Sequence, residues 1–192
     1  MKSNCGFTLF ILCSSLVSGL AACNPQHQSD RFQRFRSRLP ELSVPLVLHC
    51  GIGNDLAQSA IVDTNYDEYF IPLREPIGRL WPQQNYITVL FGEVADYMEP
   101  QLVTFSTSGK QIDSLFVSVN CESEPGLHGN SVMYLNSDLV ILTVDTIFTS
   151  SVDSMHHEIA GTDSLVVYIE RHKIDEQGHF IQLENDKKVL HP

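Results

Sequence analysis

Catalytic signatures are the first thing missing from this chain of 192 residues. It contains no Gly-x-Ser-x-Gly, which excludes the usual nucleophile elbow, and no His-Glu-x-x-His, which excludes the helical zinc-protease pattern. The two glycines of His49-Cys50-Gly51-Ile52-Gly53-Asn54-Asp55 are too few and too poorly spaced for a phosphate loop. No acidic stretch has the ligand order of an EF-hand. Basic residues are scarce: from Leu39 onward there are 7 Lys+Arg against 22 Asp+Glu, a formal net of −15. A domain of that charge repels nucleic acid, and the same acidity keeps it in solution. There is a single tryptophan, no long amphipathic helical pattern, and no second apolar run able to span a bilayer.

The first apolar run carries the clearest signal. Met1-Lys2-Ser3-Asn4 is followed by an apolar stretch over residues 5–20 and then by small residues, the layout of a secretory signal. Leu20-Ala21-Ala22-Cys23 resembles the lipobox of bacterial lipoproteins. That resemblance implies a diacylglyceryl group on the Cys23 sulfur, cleavage just before it, and a mature chain held to a membrane by its acyl chains. Two or more chains hold stably, at about 0.8 kcal/mol per buried methylene. The competing reading is an uncleaved helix over residues 5–22, which is barely long enough to span.

The anchor reading fixes what the cysteines can do. Cys5 and Cys13 leave with the signal and Cys23 is lipidated, so Cys50 and Cys121 remain. Two thiols in an oxidising compartment point to a disulfide. It would close a loop of about 70 residues and add on the order of 4 kcal/mol. The alternative is two separately buried thiols.

Residues 24–29 are polar with one proline and read as a tether. Next, Arg31, Arg34, Arg36 and Arg38 place four of the twelve basic residues within eight positions, interleaved with Phe32 and Phe35. Two fates are open. The segment lies on anionic headgroups beside the anchor, or it is a helical turn whose phenylalanines, at i and i+3, dock on the domain.

Beyond this the pattern is short strands between turns. Apolar residues at 42, 44, 46 and 48 have period two, although Pro40 and Pro45 confine that strand to an edge. Further strands are expected at 86–91, 102–106, 112–119, 131–135, 139–144, 146–152, 165–174 and 179–183. Turns are expected at 107–110 and 175–178, polar connections at 92–100 and 120–130, and a frayed tail from 187. The fold class that follows is all-β, an antiparallel sandwich-like domain of short strands and hairpins behind a lipoprotein signal peptide. Three regions result: signal 1–22, lipidated tether 23–38 and a single β-rich domain 39–192.

The segment 32–48, with its phenylalanines, Leu39-Pro40 and period-two strand, then Phe70-Ile71-Pro72, then Gly109-Lys110-Gln111-Ile112-Asp113-Ser114-Leu115, resembles small uncharacterised lipoproteins of Bacteroidota. The resemblance implies an envelope location and β content, and carries no catalytic residue. In that phylum, surface-exported lipoproteins tend to carry acidic residues soon after the lipidated cysteine. Residues 24–29 have none, so a periplasm-facing position on the outer membrane is expected.

Candidate sites are few. Trp81, with Tyr66 and Tyr69, is a possible ligand platform, although a lone tryptophan between bends is more often a core anchor. His156-His157-Glu158 and the pair His172 and His179 fall short of the three or four ligands that zinc needs. Asp67-Glu68, Glu122 with Glu124, and Asp175-Glu176 read as solvated loop acids. No metal and no cofactor is expected. Two function classes follow: a non-enzymatic binding or envelope-structural module, or a glycan-active hydrolase or accessory carbohydrate-binding protein. The partners would be the membrane through the anchor and an envelope protein or glycan.

Overall fold

A computed structural model describes residues 25–49, 56, 74–81, 83–94, 98–117 and 121–190. The expectations for the signal, for Cys23 and Cys50, and for Tyr66 and Tyr69 lie outside these residues.

The described chain is mostly β, as the strand pattern required. It begins with one helix, α1 (Pro25–Arg38), and continues through ten strands. Four of them, β2 (Arg74–Leu80), β3 (Tyr86–Val94), β4 (Met98–Ser106) and β5 (Gln111–Phe116), form an antiparallel sheet in the order β2-β3-β4-β5. The second sheet runs β1 (Leu46–His49), β7 (Leu127–Leu135), β8 (Val140–Thr149), β9 (Ser164–Ile174) and β10 (Phe180–Leu190), also antiparallel. The two-residue β6 (Ser123–Glu124) pairs with the start of β7.

Two apolar layers hold this together. Between the sheets, Leu48, Leu80, Trp81, Leu90, Leu102, Met133, Leu135, Ile141 and Ile174 form one buried cluster. On the other face of the first sheet, Ile87, Val89, Phe91, Val103 and Phe105 are covered by Phe32, Phe35 and Leu39. The alternation along β3 makes both layers possible: Ile87, Val89 and Phe91 face the helix, whereas Tyr86 and Leu90 face the second sheet. Phe32 is 0% and Phe35 3% exposed, and their rings lie 6.0 Å apart. Of the two fates open to the arginine–phenylalanine segment, docking on the domain is the one observed. Within the segment 23–38, Pro25–Arg38 form this helix. Pro25 suits the first helical position, and Arg36 and Arg38 complement the negative end of the dipole.

After α1 the chain crosses from one sheet to the other. Leu42 N–H donates to the Arg79 carbonyl and Arg79 N–H to that of Pro40, both at 2.9 Å, and Glu41 pairs with the Arg79 guanidinium at 3.3 Å. The crossing depends on Gly78. A Cβ there would lie 2.6 Å from Leu42 Cγ and 2.9 Å from the Pro40 carbonyl oxygen.

Several boundaries depart from the expected ones. The connection at 92–100 is mostly strand, because β3 and β4 pair out to Val94 and Met98. The loop at 120–130 holds β6 and the first third of β7. The strands expected at 139–144 and 146–152 are one strand, β8, and the frayed tail from 187 is the end of β10, paired along β9 to Leu190. Residues 77–80 belong to β2, where Pro76 is accommodated at an irregularity in the pairing with β3.

The second sheet is tightly covered at one end only. Apart from Gly126 in the β6–β7 connection, its buried residues lie between Ser131 and Thr143 and at Leu48, Ile174 and Gly178, and none from 144 to 173 is buried.

Candidate functional site

Trp81 is the natural first place to look, and it is closed. It is 4% exposed, belongs to the inter-sheet core, and its indole N–H donates to the Asn136 carbonyl at 2.7 Å. The ligand-platform expectation at Trp81 is therefore corrected: the ring is a core anchor whose polar tip ties the β2–β3 connection to the β7–β8 turn. Tyr66 and Tyr69 lie outside the described residues. Cys121 is half-buried just before β6, and its expected bridge to Cys50 lies outside the described residues with Cys50.

The histidines do not assemble. Glu158 of His156-His157-Glu158 turns away to His128, at 2.9 Å, and also accepts from the Gly126 N–H. Those two contacts, the first the larger, hold its carboxyl below the usual range. His157 sits 3.5 Å from Asp153, whose carboxyl is lowered chiefly by the N–H groups of His157 and Met155. In the last hairpin His172 faces Gln182 rather than His179, and His179 approaches Asp113 at 3.8 Å. Among the described residues no three metal-ligating side chains converge.

A groove does form, at the end of the sandwich where three hairpin connections gather. Its cavity is about 830 Å³, within the size range of small-ligand sites. The β2–β3 connection contributes Gln83, Gln84 and Asn85, the β7–β8 turn Asp138 and Leu139, and the β9–β10 turn Asp175, Glu176 and Gln177. Tyr86, Ile174, Ile181 and Leu183 supply apolar wall, and among the described residues Lys173 is the only cation on it.

Each wall is fixed by contacts of its own. Asp175 accepts from the N–H groups of Gln177 and His179 at 2.9 and 2.8 Å, closing an Asx-type turn rather than standing free in solvent as expected. The turn is then bolted to the first sheet. Thr104 Oγ1 donates to the Gly178 carbonyl at 2.6 Å, and Phe180 N–H donates to Asp113 Oδ2 at 2.9 Å. Leu139, on the opposite wall, holds left-handed backbone at φ 66°, and so does Trp81, at φ 42°, in the core just ahead of Gln83. Such conformations are costly for non-glycine residues and concentrate at sites the fold over-determines. Tyr86 is 2% exposed, and its hydroxyl finds no hydrogen-bond partner among the described residues. Burial first, and the Asp175 carboxylate second, push that phenol above its ordinary value.

A second, smaller cavity of about 420 Å³ opens where the sheets part, between Phe116 and Val117 on one side and Thr143, Asp145, Tyr168 and Glu170 on the other. Register places Ser131, Asp145, Tyr168 and Lys187 in one row across four strands. Ser131 donates to Asp145 at 2.6 Å, and the Lys187 ammonium lies 5.1 Å from the centre of the Tyr168 ring. Burial raises the Asp145 carboxyl above its ordinary 3.8, outweighing the lowering by Ser131. The folded state thus favours the protonated form. This contribution to stability is complete below the unfolded value and is lost as pH rises through the folded one. Asp145→Asn, which keeps an acceptor for Ser131, is expected to gain stability relative to the parent as pH rises from about 4 to 7, and to gain none near pH 3. Urea midpoints of the two proteins across that range check it. A difference independent of pH would refute the assignment.

Of the groove residues only Asp175-Glu176 stand out in the sequence, as loop acids, yet one further signal is present. Gln83-Gln84-Asn85 is a run of three amides directly after the Trp81-Pro82 bend. No family model matches the chain, no curated protein does, and no solved structure does.

Proposed function

We propose that the protein is a lipid-anchored, non-enzymatic binding module of the cell envelope, with its ligand site in the groove at the end of the sandwich. The anchor part rests on Leu20-Ala21-Ala22-Cys23 after an apolar run, and on the resemblance to lipoproteins of Bacteroidota. The binding part is carried by one observation: three separate hairpin connections, two of them closed by hydrogen bonds of their own and the third tied to its neighbour through Trp81, converge on an 830 Å³ groove. Loops gathered at one end of a rigid sandwich are a common placement for recognition surfaces. A binding role is favoured over hydrolysis because the three acids of the groove are not poised as an acid–base pair. Asp175 is engaged with its own turn, and Asp138 stands beside the Val140 N–H at 3.4 Å. In this reading the protein sits on the outer membrane facing the periplasm, and its partners are envelope components rather than nucleic acid.

One experiment addresses both parts. The Cys23→Ala protein is expected to leave the membrane fraction and purify from the soluble one. Amide exchange of that protein is then followed with and without a soluble digest of the envelope holding both glycan and peptide fragments. Slower exchange at residues 83–85, 137–139 and 175–178 is the expected result. Sedimentation of Cys23→Ala with membranes would defeat the anchor, and unchanged exchange in the loops would defeat the groove.

A further inference from the structure

We propose that the groove takes a hydroxyl-rich saccharide without acidic groups, an inference that rests on the groove being the binding site. Three features of the lining argue for it. The first is charge. Asp138, Asp175 and Glu176 face a single cation, Lys173, so the groove repels carboxylates, phosphates and sulfates and tolerates an amino group.

The second is the kind of hydrogen-bonding group on offer. The backbone of the β9–β10 turn is already engaged: the N–H groups of Asp175, Gln177, Gly178, His179 and Phe180 all donate within the protein, and Ile174 N–H donates to the Leu139 carbonyl. An extended peptide binds by adding main-chain pairs to a free edge, and this turn has few to give. What remains is side-chain amides, Gln83, Gln84, Asn85 and Gln177. Each carries an acceptor and two donors, a set that matches vicinal hydroxyls, which also donate and accept.

The third is the apolar surface between them. Ile181 is 46% and Leu183 54% exposed at the groove. Their aliphatic side chains can cover the C–H face of a sugar ring. The volume, about 830 Å³, accommodates two or three such rings.

The test is a titration of the Cys23→Ala protein by nuclear magnetic resonance, reading backbone and side-chain amide signals. Four probes are used at equal concentration: a neutral trisaccharide of N-acetylglucosamine, its de-acetylated cationic counterpart, an anionic trigalacturonate, and an uncharged alanine–valine tetrapeptide. The neutral and cationic saccharides are expected to shift the signals of Gln83, Gln84, Asn85 and Gln177, and the other two probes are not. The double variant Gln84→Ala/Gln177→Ala, which alters only the groove, should weaken saccharide binding at least tenfold with an unchanged unfolding midpoint. Shifts in the groove from trigalacturonate or the tetrapeptide would overturn the ligand class while leaving the groove as the binding site. If neither saccharide shifts these residues although the envelope digest protects the loops, the ligand class also falls and the groove stands. If the digest leaves the loops unprotected as well, the binding-site reading itself has failed. Saccharide binding that the double variant leaves intact would place the sugar elsewhere and overturn the inference.

Discussion

Phe32→Ala is expected to lower the unfolding free energy by about 3–5 kcal/mol, the usual cost of emptying a buried phenylalanine site. Phe32 is 0% exposed, lies 5.5 Å from the Phe105 ring and 6.0 Å from that of Phe35, and closes the layer over Ile87, Val89, Phe91 and Val103. Its removal leaves a void that a helix also held to the sheet by Phe35 and Leu39 cannot easily collapse. Typical domains have only about 5–15 kcal/mol in total, so the effect would be a large fraction of stability. The control is the opposite face of α1. Arg34→Gln is expected to change the unfolding free energy, read by urea denaturation, by no more than about 0.5 kcal/mol, as surface substitutions generally do. A small effect at Phe32 and a large loss of membrane association at Arg34 would show that the segment serves headgroups and not the core.

At Gly178 the second large effect is expected, because two penalties coincide there. The backbone has φ +91°, where a side chain is strained, and a Cβ would meet Tyr86 Cγ and Ile112 Cδ1, both at 3.1 Å. Conformational strain of about 1 kcal/mol and overpacking of about 1–3 kcal/mol give a loss of about 2–4 kcal/mol for Gly178→Ala. The Gly178 carbonyl also receives the Thr104 hydroxyl, so displacing the turn breaks a buried hydrogen bond and loosens one wall of the groove. The check is chemical denaturation of Gly178→Ala beside Gly161→Ala. Gly161 has a similar φ of +79° but no atom near its missing Cβ, so it carries the strain alone. Equal losses at the two positions would mean that the packing around Tyr86 is not tight.

The period-two apolar pattern made the all-β class legible, since each strand must cover a core with one face. Turns were legible where the chemistry is local: Gly109 and Gly178 both hold positive φ in the connections expected at 107–110 and 175–178. What misled was polarity inside strands. Asp145 reads as a break, yet it lies within β8, because the sheets part there and its side chain enters a cavity instead of the core. The charged end of β10 reads as a tail for the same reason: it pairs along β9 beyond the covered part of the sheet, where Lys187 and Lys188 cost nothing to solvate. The groove was illegible because it is a tertiary object. Its amides come from turns far apart in sequence, and long-range hydrogen bonds such as those from Trp81 to Asn136, from Ile174 to Leu139 and from Thr104 to Gly178 bring those turns together.

The crossing of the N-terminal arm between the sheets has a consequence for how the chain assembles. Both sheets are otherwise meanders, in which β2 through β5 and β6 through β10 pair only with sequence neighbours. Local pairings of this kind close short loops and cost little chain entropy. The exception is β1, whose Leu46 lies opposite Leu135. The cost of a long loop is therefore concentrated in one short strand, and it is recovered only once β7 exists to receive it. The same arm grips β2 through Pro40 and Leu42 and covers the outer face of the first sheet with α1. The part of the domain synthesised first is thus the part that depends on everything made after it, and it joins two locally wired sheets into one cooperative unit.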